Sequence, residues 1–528
     1  GHVNAILSKR HRVLAKVTKM PTSRKVEIAG QQVEVNNPDG EMTYFPLHDE
    51  SSNFYADAED MNNCTVAKLD GSEGDWMMYE PFYWSKGIND YLNNKKYACY
   101  SSYPEDEMPP VPEATVLTLD TIKETQGGWL GERKIMSGKS TLMESYTTDK
   151  AYSVCKVDVS GYRRVRFPSV PGTGLIGSVF VDAAGNILKS IVVPTIGLKF
   201  EAGMYLIADV PERATALHFS ILNTAEFDCV VLSHSGKIED MEPDWVANEE
   251  HLCAVVGSSE VGSKLRSCIT GGSTAGGMSW TDFHFYSQQR GMQQIDALMH
   301  SRIANLFFAR YGRRNSQEEC GAGYHSHMRT TGGTAEHGME DTIGYDAAHA
   351  IDPNVTNAMV EDLVHQYAWY RSRDEYGQES VTRVNNICCL GYEDIYGHKY
   401  DMMDGVDVPN DSGNVGKWRI WMPDGTVRMV PGKGSSGQWT AGVAHGRYMD
   451  VVPVGTLSGS SSTCYGDVYW FSGAALRVVY RGCSHAYADG GVSYANASND
   501  ASFASAGVGS RLAFRGKIVR AQSVAAYK

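Results

Sequence analysis

The stretch VVYRGCSHAYADGGVSYANASNDASFASAGVGSRLAFRG, residues 478–516, decides the reading of this chain. Two apolar runs that each carry an arginine, VVYRG and RLAFRG, bracket an interior of Gly, Ala, Ser, Asn and Asp. Bulky rings recur through it at Tyr487, Tyr494 and Phe503. The longer span 458–516 contains no Lys, Glu, Gln or Met. Low-complexity loops account for part of that bias. The genetic code offers a sharper account. Randomising the first two bases of an Asn codon, with its pyrimidine third base kept, gives products that include Asn, Tyr, Ser, Phe, Cys, His, Asp, Gly, Ala and Val. It never yields Lys, Glu, Gln, Met or Trp. The segment has the composition such a process leaves, with Trp470 as part of a fixed frame.

Around this segment lies a chain of 528 residues, long enough for about two to four domains. Apolar residues make up 42%, enough for well-formed cores, and the formal charge is −14. That charge argues against a nucleic-acid partner, since neutralising phosphates takes a basic surface. There is no apolar run of membrane-spanning length, so no membrane insertion is expected. The basic start, GHVNAILSKRHRVLAKVTKM, lacks the apolar core of a signal peptide, and Gly1-His2 reads as a cloning scar. Eleven cysteines at irregular spacing do not form a disulfide framework, and an odd count leaves one thiol over. They read as mostly reduced and buried.

Residues 1–24 carry clustered Lys and Arg with interspersed apolar residues, a frayed tail in preference to a docking helix. Residues 25–114 read as short strands and turns; EGDWMMYEPFYWSKG is a buried aromatic strand, and EDEMPPVPEA near 105–114 a Pro-rich boundary. Within 115–245, CKVDVSGYRRVRF, GSVFVDAAGNILKSIVV, MYLIADV, ALHFSIL and CVVLSH predict a β-sandwich, with DAAGN as a hairpin turn. Residues 246–528 begin with helical spacing through Met292, Ile295, Leu298, Met299, Ile303, Leu306 and Phe307. Asp352-Pro353 announces a second helix over 354–373. Strands and loops follow. The fold class is α+β, with segregated elements and no internal repeat.

Several motifs invite chemistry. SGKS at 137–140 lacks the phosphate-loop glycine, because Arg133 stands there. Cys320, His325, His327 and His337 lie close in sequence without a zinc spacing, and read as a polar loop. Glu393, Asp394, Asp401, Asp404 and Asp407 lack the EF-hand pattern; their glycines place the acids against backbone donors. No G-x-S-x-G elbow supports a nucleophile triad. No metal, cofactor or catalytic residue is assigned.

The chain resembles the variable proteins of diversity-generating retroelements, many of them phage tail-tip or receptor-binding proteins. The matching stretches are GYEDIYGHKYDMMDGV, WRIWMPDGTV, SSTCYGDVYWF, LRVVYRG and the closing VGSRLAFRG, with GDWMMYEPFYW and MHSRIANLFFARYG earlier. The resemblance implies a C-type lectin fold of the formylglycine-generating-enzyme type over 25–110 and 250–528, with an inserted all-β sandwich at 115–245. It further implies a fixed frame that includes Trp470, Arg477, Val478, Tyr480, Arg481, Gly490, Gly491, Gly509, Arg511, Leu512 and Phe514.

Non-frame residues reachable from an Asn codon then form the expected ligand-binding set, over about 464–507. They are Cys464, Gly466, Val468, Phe471, Gly473, Ala474, Ala475, Cys483, Ser484, His485, Tyr487, Asp489, Tyr494, Ser498, Phe503 and Gly507. Phe471, Tyr487, Tyr494 and Phe503 are the expected anchors, since such rings give much contact for few frozen torsions. The implied function is non-catalytic binding of a host cell-surface receptor, protein or glycan, from the phage tail. A homotrimer docked on other virion tail proteins goes with it, and weak sites would add by avidity. Two alternatives stay open: an enzyme of the formylglycine-generating type, for which Cys483 has no evident cysteine partner, and a diversified lectin displayed on a bacterial cell surface.

Overall fold

A computed structural model describes the chain apart from residues 50, 91, 94, 105–113, 128, 135–139, 146–151, 169–177, 192–205, 223–228, 238–240, 242–244, 269–272, 321–367, 374–378, 385–386, 433–436, 447, 454–458, 463–464, 485–486 and 488. The described residues are mostly β-sheet with a few helices, a mixed α+β arrangement. They divide into two compact units. The first comprises Gly1–Tyr83, Asn248–Ala444 and Met449–Lys528; the second comprises Trp84–Ala247 and His445–Tyr448. The first division falls at Tyr83, earlier than the Pro-rich stretch, of which residues 105–113 lie outside the described residues.

The first unit is built on two eight-stranded sheets. One runs Gln293–Gln294, Leu512–Phe514, His251–Ala254, Asp75–Glu80, His11–Lys19, Glu41–His48, Lys517–Arg520, with Ser51–Tyr55 added on Glu41–His48. The other runs Val427–Pro431, Lys417–Trp421, Tyr400–Val408, Arg477–Arg481, Ala495–Ala497, Val468–Phe471, Gln438–Trp439, with Val508–Gly509 beside Tyr400–Val408. One core joins them: Val13, Ala15, Met77, Leu252, Leu512 and Phe514 from the first meet Met402, Val478 and Tyr480 from the second.

The basic N-terminal segment is not a tail. His2–Ser8 is a short helix, and His11–Lys19 pairs with both Glu41–His48 and Asp75–Glu80 inside the sheet. Val13, Leu14 and Ala15 are consecutive and fully buried. A strand covered on both faces shows a short apolar run instead of alternation, so period-two patterning cannot reveal it.

The aromatic stretch near residue 80 also divides. Asp75–Glu80 belongs to the first unit's sheet, whereas past Pro81 the strand Tyr83–Asp90 pairs with Lys95–Ser101.

Of the expected helical spacing, Leu298, Met299, Ile303, Leu306 and Phe307 fall in one helix, whereas Met292 and Ile295 precede it and a further helix lies upstream. Helix Trp280–Gln289 starts on the Ser279 hydroxyl, and helix Ala297–Tyr311 starts on the Asp296 carboxylate, which accepts from Met299 N–H. Between them Gly291 has φ +73° and lies against Met20 and Pro21, where a Cβ would meet sulfur at 2.9 Å. Gln293–Gln294 then pairs with Leu512–Phe514. The second expected helix is corrected where it is described. Ala368–Arg373 is a strand paired with Glu379–Val384, and 354–367 lie outside the described residues.

In the second unit, a five-stranded sheet orders Lys123–Gly127, Tyr152–Asp158, Ala216–Leu222, Ser178–Val181 and Ile187–Ile191. A four-stranded sheet orders Leu206–Asp209, Arg164–Phe167, Cys229–Ser233 and Ala114–Thr118. Phe167, Phe180, Leu217, Phe219, Val230 and Leu232 fill the core between them, the arrangement of a sandwich. Asp182 closes the DAAGN turn by accepting from Ala184 and Asn186 N–H.

Candidate functional site

Arg481 and Arg511, one from each bracketing run, anchor the C-terminal segment from inside. Arg511 is 1% exposed. Its Nε donates to Asp401 Oδ2 at 3.1 Å, Nη1 to the Ala254 and Val255 carbonyls, and Nη2 to the Glu393 and Asp394 carbonyls. All five N–H donors are thereby used, across three distant segments. Burial pushes the Asp401 carboxyl up while Arg511 opposes it. Arg481 donates from Nε to the Tyr494 carbonyl and from Nη1 to the Val451 carbonyl. Burial holds its guanidinium down to about 10.

Gly490 and Gly491 are required by close approach. A Cβ at Gly490 would lie 1.9 Å from Cys483 Cβ, and one at Gly491 would lie 2.4 Å from Asp467 Oδ1. Asp467 accepts from Gln317 Nε2 and from Ser493 N–H, and burial pushes its carboxyl up to about 7.

Between these fixed points the chain loops outward. The frame residues Val478, Tyr480, Arg481, Arg511, Leu512 and Phe514 are all buried. Of the expected contact residues, Ala474 and Tyr487 are exposed, while Gly473, Ala475, Asp489, Ser498, Phe503 and Gly507 are half-buried. Gly466, Val468, Phe471, Cys483, Ser484 and Tyr494 are buried. Cys464 and His485 lie outside the described residues.

The anchor assignment is corrected accordingly. Phe471 packs on Trp418 at 4.8 Å, and Tyr494 lies in a cluster with Val468 and Cys483 against Tyr400 and Trp439. Phe503 leans on the core beside Tyr480. Phe471 and Tyr494 fill volume under the surface, and Phe503 is half-buried. Tyr487, 55% exposed, keeps a free face, and Trp470, assigned to the frame, is 39% exposed. Along Val468–Phe471 the neighbours of Trp470 are buried and it alone turns outward. Burial and the neighbouring Asp489 both push the Cys483 thiol up, away from the thiolate that a nucleophile needs.

A small cleft adjoins the loops, lined by Gly257, Ser258, Ala275, Asp394, His398, Lys399, Asp401, Gly509, Ser510 and Arg511. Backbone pairing of His398 with Ser484, and a bond from Tyr400 N–H to the Gly507 carbonyl, join its wall to two of the expected contact positions. Lys399 Nζ reaches the Ala275 carbonyl at 3.4 Å. Sequence reasoning did not single out His398 and Lys399.

The acids of 391–407 are mostly paired with side chains. Glu393 meets Arg12, Asp401 meets Arg511 and Asp407 meets Arg419; Asp404 meets His284 and also accepts from Gln294 N–H. Asp407 also takes a backbone donor, Ala29 N–H. Among the described residues no helix is long and apolar enough to cross a membrane. The chain matches no protein-family profile and no curated protein.

Proposed function

We propose that this chain is a phage receptor-binding protein whose first unit has a C-type lectin fold of the formylglycine-generating-enzyme type. It binds a host-surface ligand through loops diversified by a retroelement, and it acts without catalysis. The observation that carries the reading is the partition of residues 464–516. The bracketing runs are buried and locked by Arg481 and Arg511, while intervening loops bring Gly473, Ala474, Ala475, Tyr487, Asp489, Ser498, Phe503 and Gly507 to or near the surface. A binding face that must change while its scaffold persists needs that separation, because core changes alter stability whereas surface changes seldom do. The contact set narrows to these residues with Trp470, and Tyr487 and Trp470 are its aromatic anchors.

Sequencing the 3′ end of the gene across sibling phage or strain isolates tests this. Substitutions should concentrate at those loop codons and spare 478–481 and 511–514, matching adenines in a template copy. An invariant region would overturn the reading.

A further inference from the structure

We infer that the first unit holds an internal monovalent anion of the halide class against Nη2 of Arg481. The guanidinium is 2% exposed, and two of its nitrogens are engaged: Nε donates to the Tyr494 carbonyl at 2.6 Å and Nη1 to the Val451 carbonyl at 3.0 Å. Nη2, which carries two N–H donors, is buried with no acceptor. Among the described residues no carboxylate forms an ion pair with Arg481. Asp401, its partner across the strand pair, gives Oδ2 to Arg511 instead. Asp467 accepts from Gln317 and Ser493, and with its carboxyl pushed up to about 7 by burial it is only partly ionised at neutral pH. A buried guanidinium with neither an ion pair nor a full set of acceptors is strongly unfavourable, and a counterion relieves it.

Two further buried groups without partners belong to segments tied to Arg481. The first is His300, on the helix Ala297–Tyr311, neither of whose ring nitrogens has a partner. Its neighbour Ser301 accepts from Val451 N–H at 2.9 Å, so Val451 is held by that helix turn on its N–H and by Arg481 on its carbonyl. Burial, with Arg481 and Arg511 as neighbouring charges, holds the His300 ring far below its ordinary value; it is neutral and offers one N–H. The second is the Ser493 hydroxyl, beside the Tyr494 carbonyl that accepts from Arg481. All three groups can donate. A halide accepts from several donors at once, brings the one negative charge that Arg481 needs, and leaves water more cheaply than a divalent oxyanion. A water molecule brings no charge. The site lies beneath the frame and owes nothing to the surface ligand.

The test crystallises the full-length protein with sodium bromide in chloride-free buffer and records anomalous diffraction at the bromine edge. The expected result is a bromide peak within hydrogen-bonding distance of Arg481 Nη2. In solution, bromide is raised from about 1 to 100 mM while gluconate, too large for the interior, keeps the ionic strength constant. The melting temperature should rise by roughly 2 °C per tenfold increase. Arg481→Met should remove both the peak and the rise. A water at Nη2, or no density there, overturns the inference. So does a peak accompanied by a flat melting series, which is binding at crystal concentration only. The measurements on the unmodified sequence decide this even if the variant fails to fold.

Discussion

Glu80 shows how much a single buried charge can carry. It accepts from Arg10 Nε and Nη2, the latter at 2.7 Å, and from the Tyr392 hydroxyl, with Arg302 Nε 3.8 Å away. Burial alone would raise its pKa, but Arg10 outweighs burial and holds the carboxyl at about 2. Glu80→Ala would leave two buried guanidiniums without their anion. A loss of about 3–5 kcal/mol is expected in denaturant unfolding. The folded pKa is depressed, so the stability from Glu80 is present above its ordinary value of 4.5 and disappears as pH falls towards 2.

His284 works in the opposite direction. Its Nε2 donates to the Glu34 carbonyl and its Nδ1 lies 2.9 Å from Asp404 Oδ1, so with an ionised Asp404 both nitrogens carry protons. Burial opposes that charge, but Asp404 and the Glu34 carbonyl prevail and raise the pKa. The stabilisation is complete below the ordinary value of 6.5 and is lost as pH rises through the raised one. Melting temperature should therefore fall as pH rises above 6.5. His284→Gln should flatten that slope; an unchanged slope would show that the pair does not titrate there.

At the scale of elements, glycines separate frame from loop. Gly491→Ala drives a methyl group into Asp467 and Ser316 and should cost about 2 kcal/mol or more. At Gly507 the nearest atoms to a new Cβ are 3.7 and 3.9 Å away, and Gly507→Ala should change stability by less than about 0.5 kcal/mol. Thermal melts of the two variants side by side check the contrast. Equal losses would mean that the 503–507 loop is as constrained as the frame, and that it is no place for diversity.

At the scale of the whole molecule, the exposed rings are the place to separate binding from folding. Tyr487→Ala and Trp470→Ala, each removing a ring that faces solvent, should leave the melting temperature within about 2 °C of wild type. On the proposed function each should weaken adhesion to host cells by roughly tenfold or more. Phe471→Ala empties a core site instead and should cost about 3–5 kcal/mol, so any loss of binding there would follow from unfolding.

The sequence by itself determined the mostly β α+β class, the sandwich strands with the DAAGN turn, the helix that ends at Tyr311, and the bracketing runs around a variable-looking interior. These signals are local: periodicity, turn residues and composition act within a few residues. Only the tertiary structure decided that the basic start is a central strand, because its neighbours Glu41–His48 and Asp75–Glu80 lie elsewhere in the chain. It likewise decided which aromatics face solvent. Codon logic treats Phe471, Tyr487 and Tyr494 alike, but burial depends on what packs above each ring, and those partners come from distant strands. The five-fold anchoring of Arg511 was legible only as an arginine in a motif. Its acceptors are separated from it by over a hundred residues, and no local pattern encodes them.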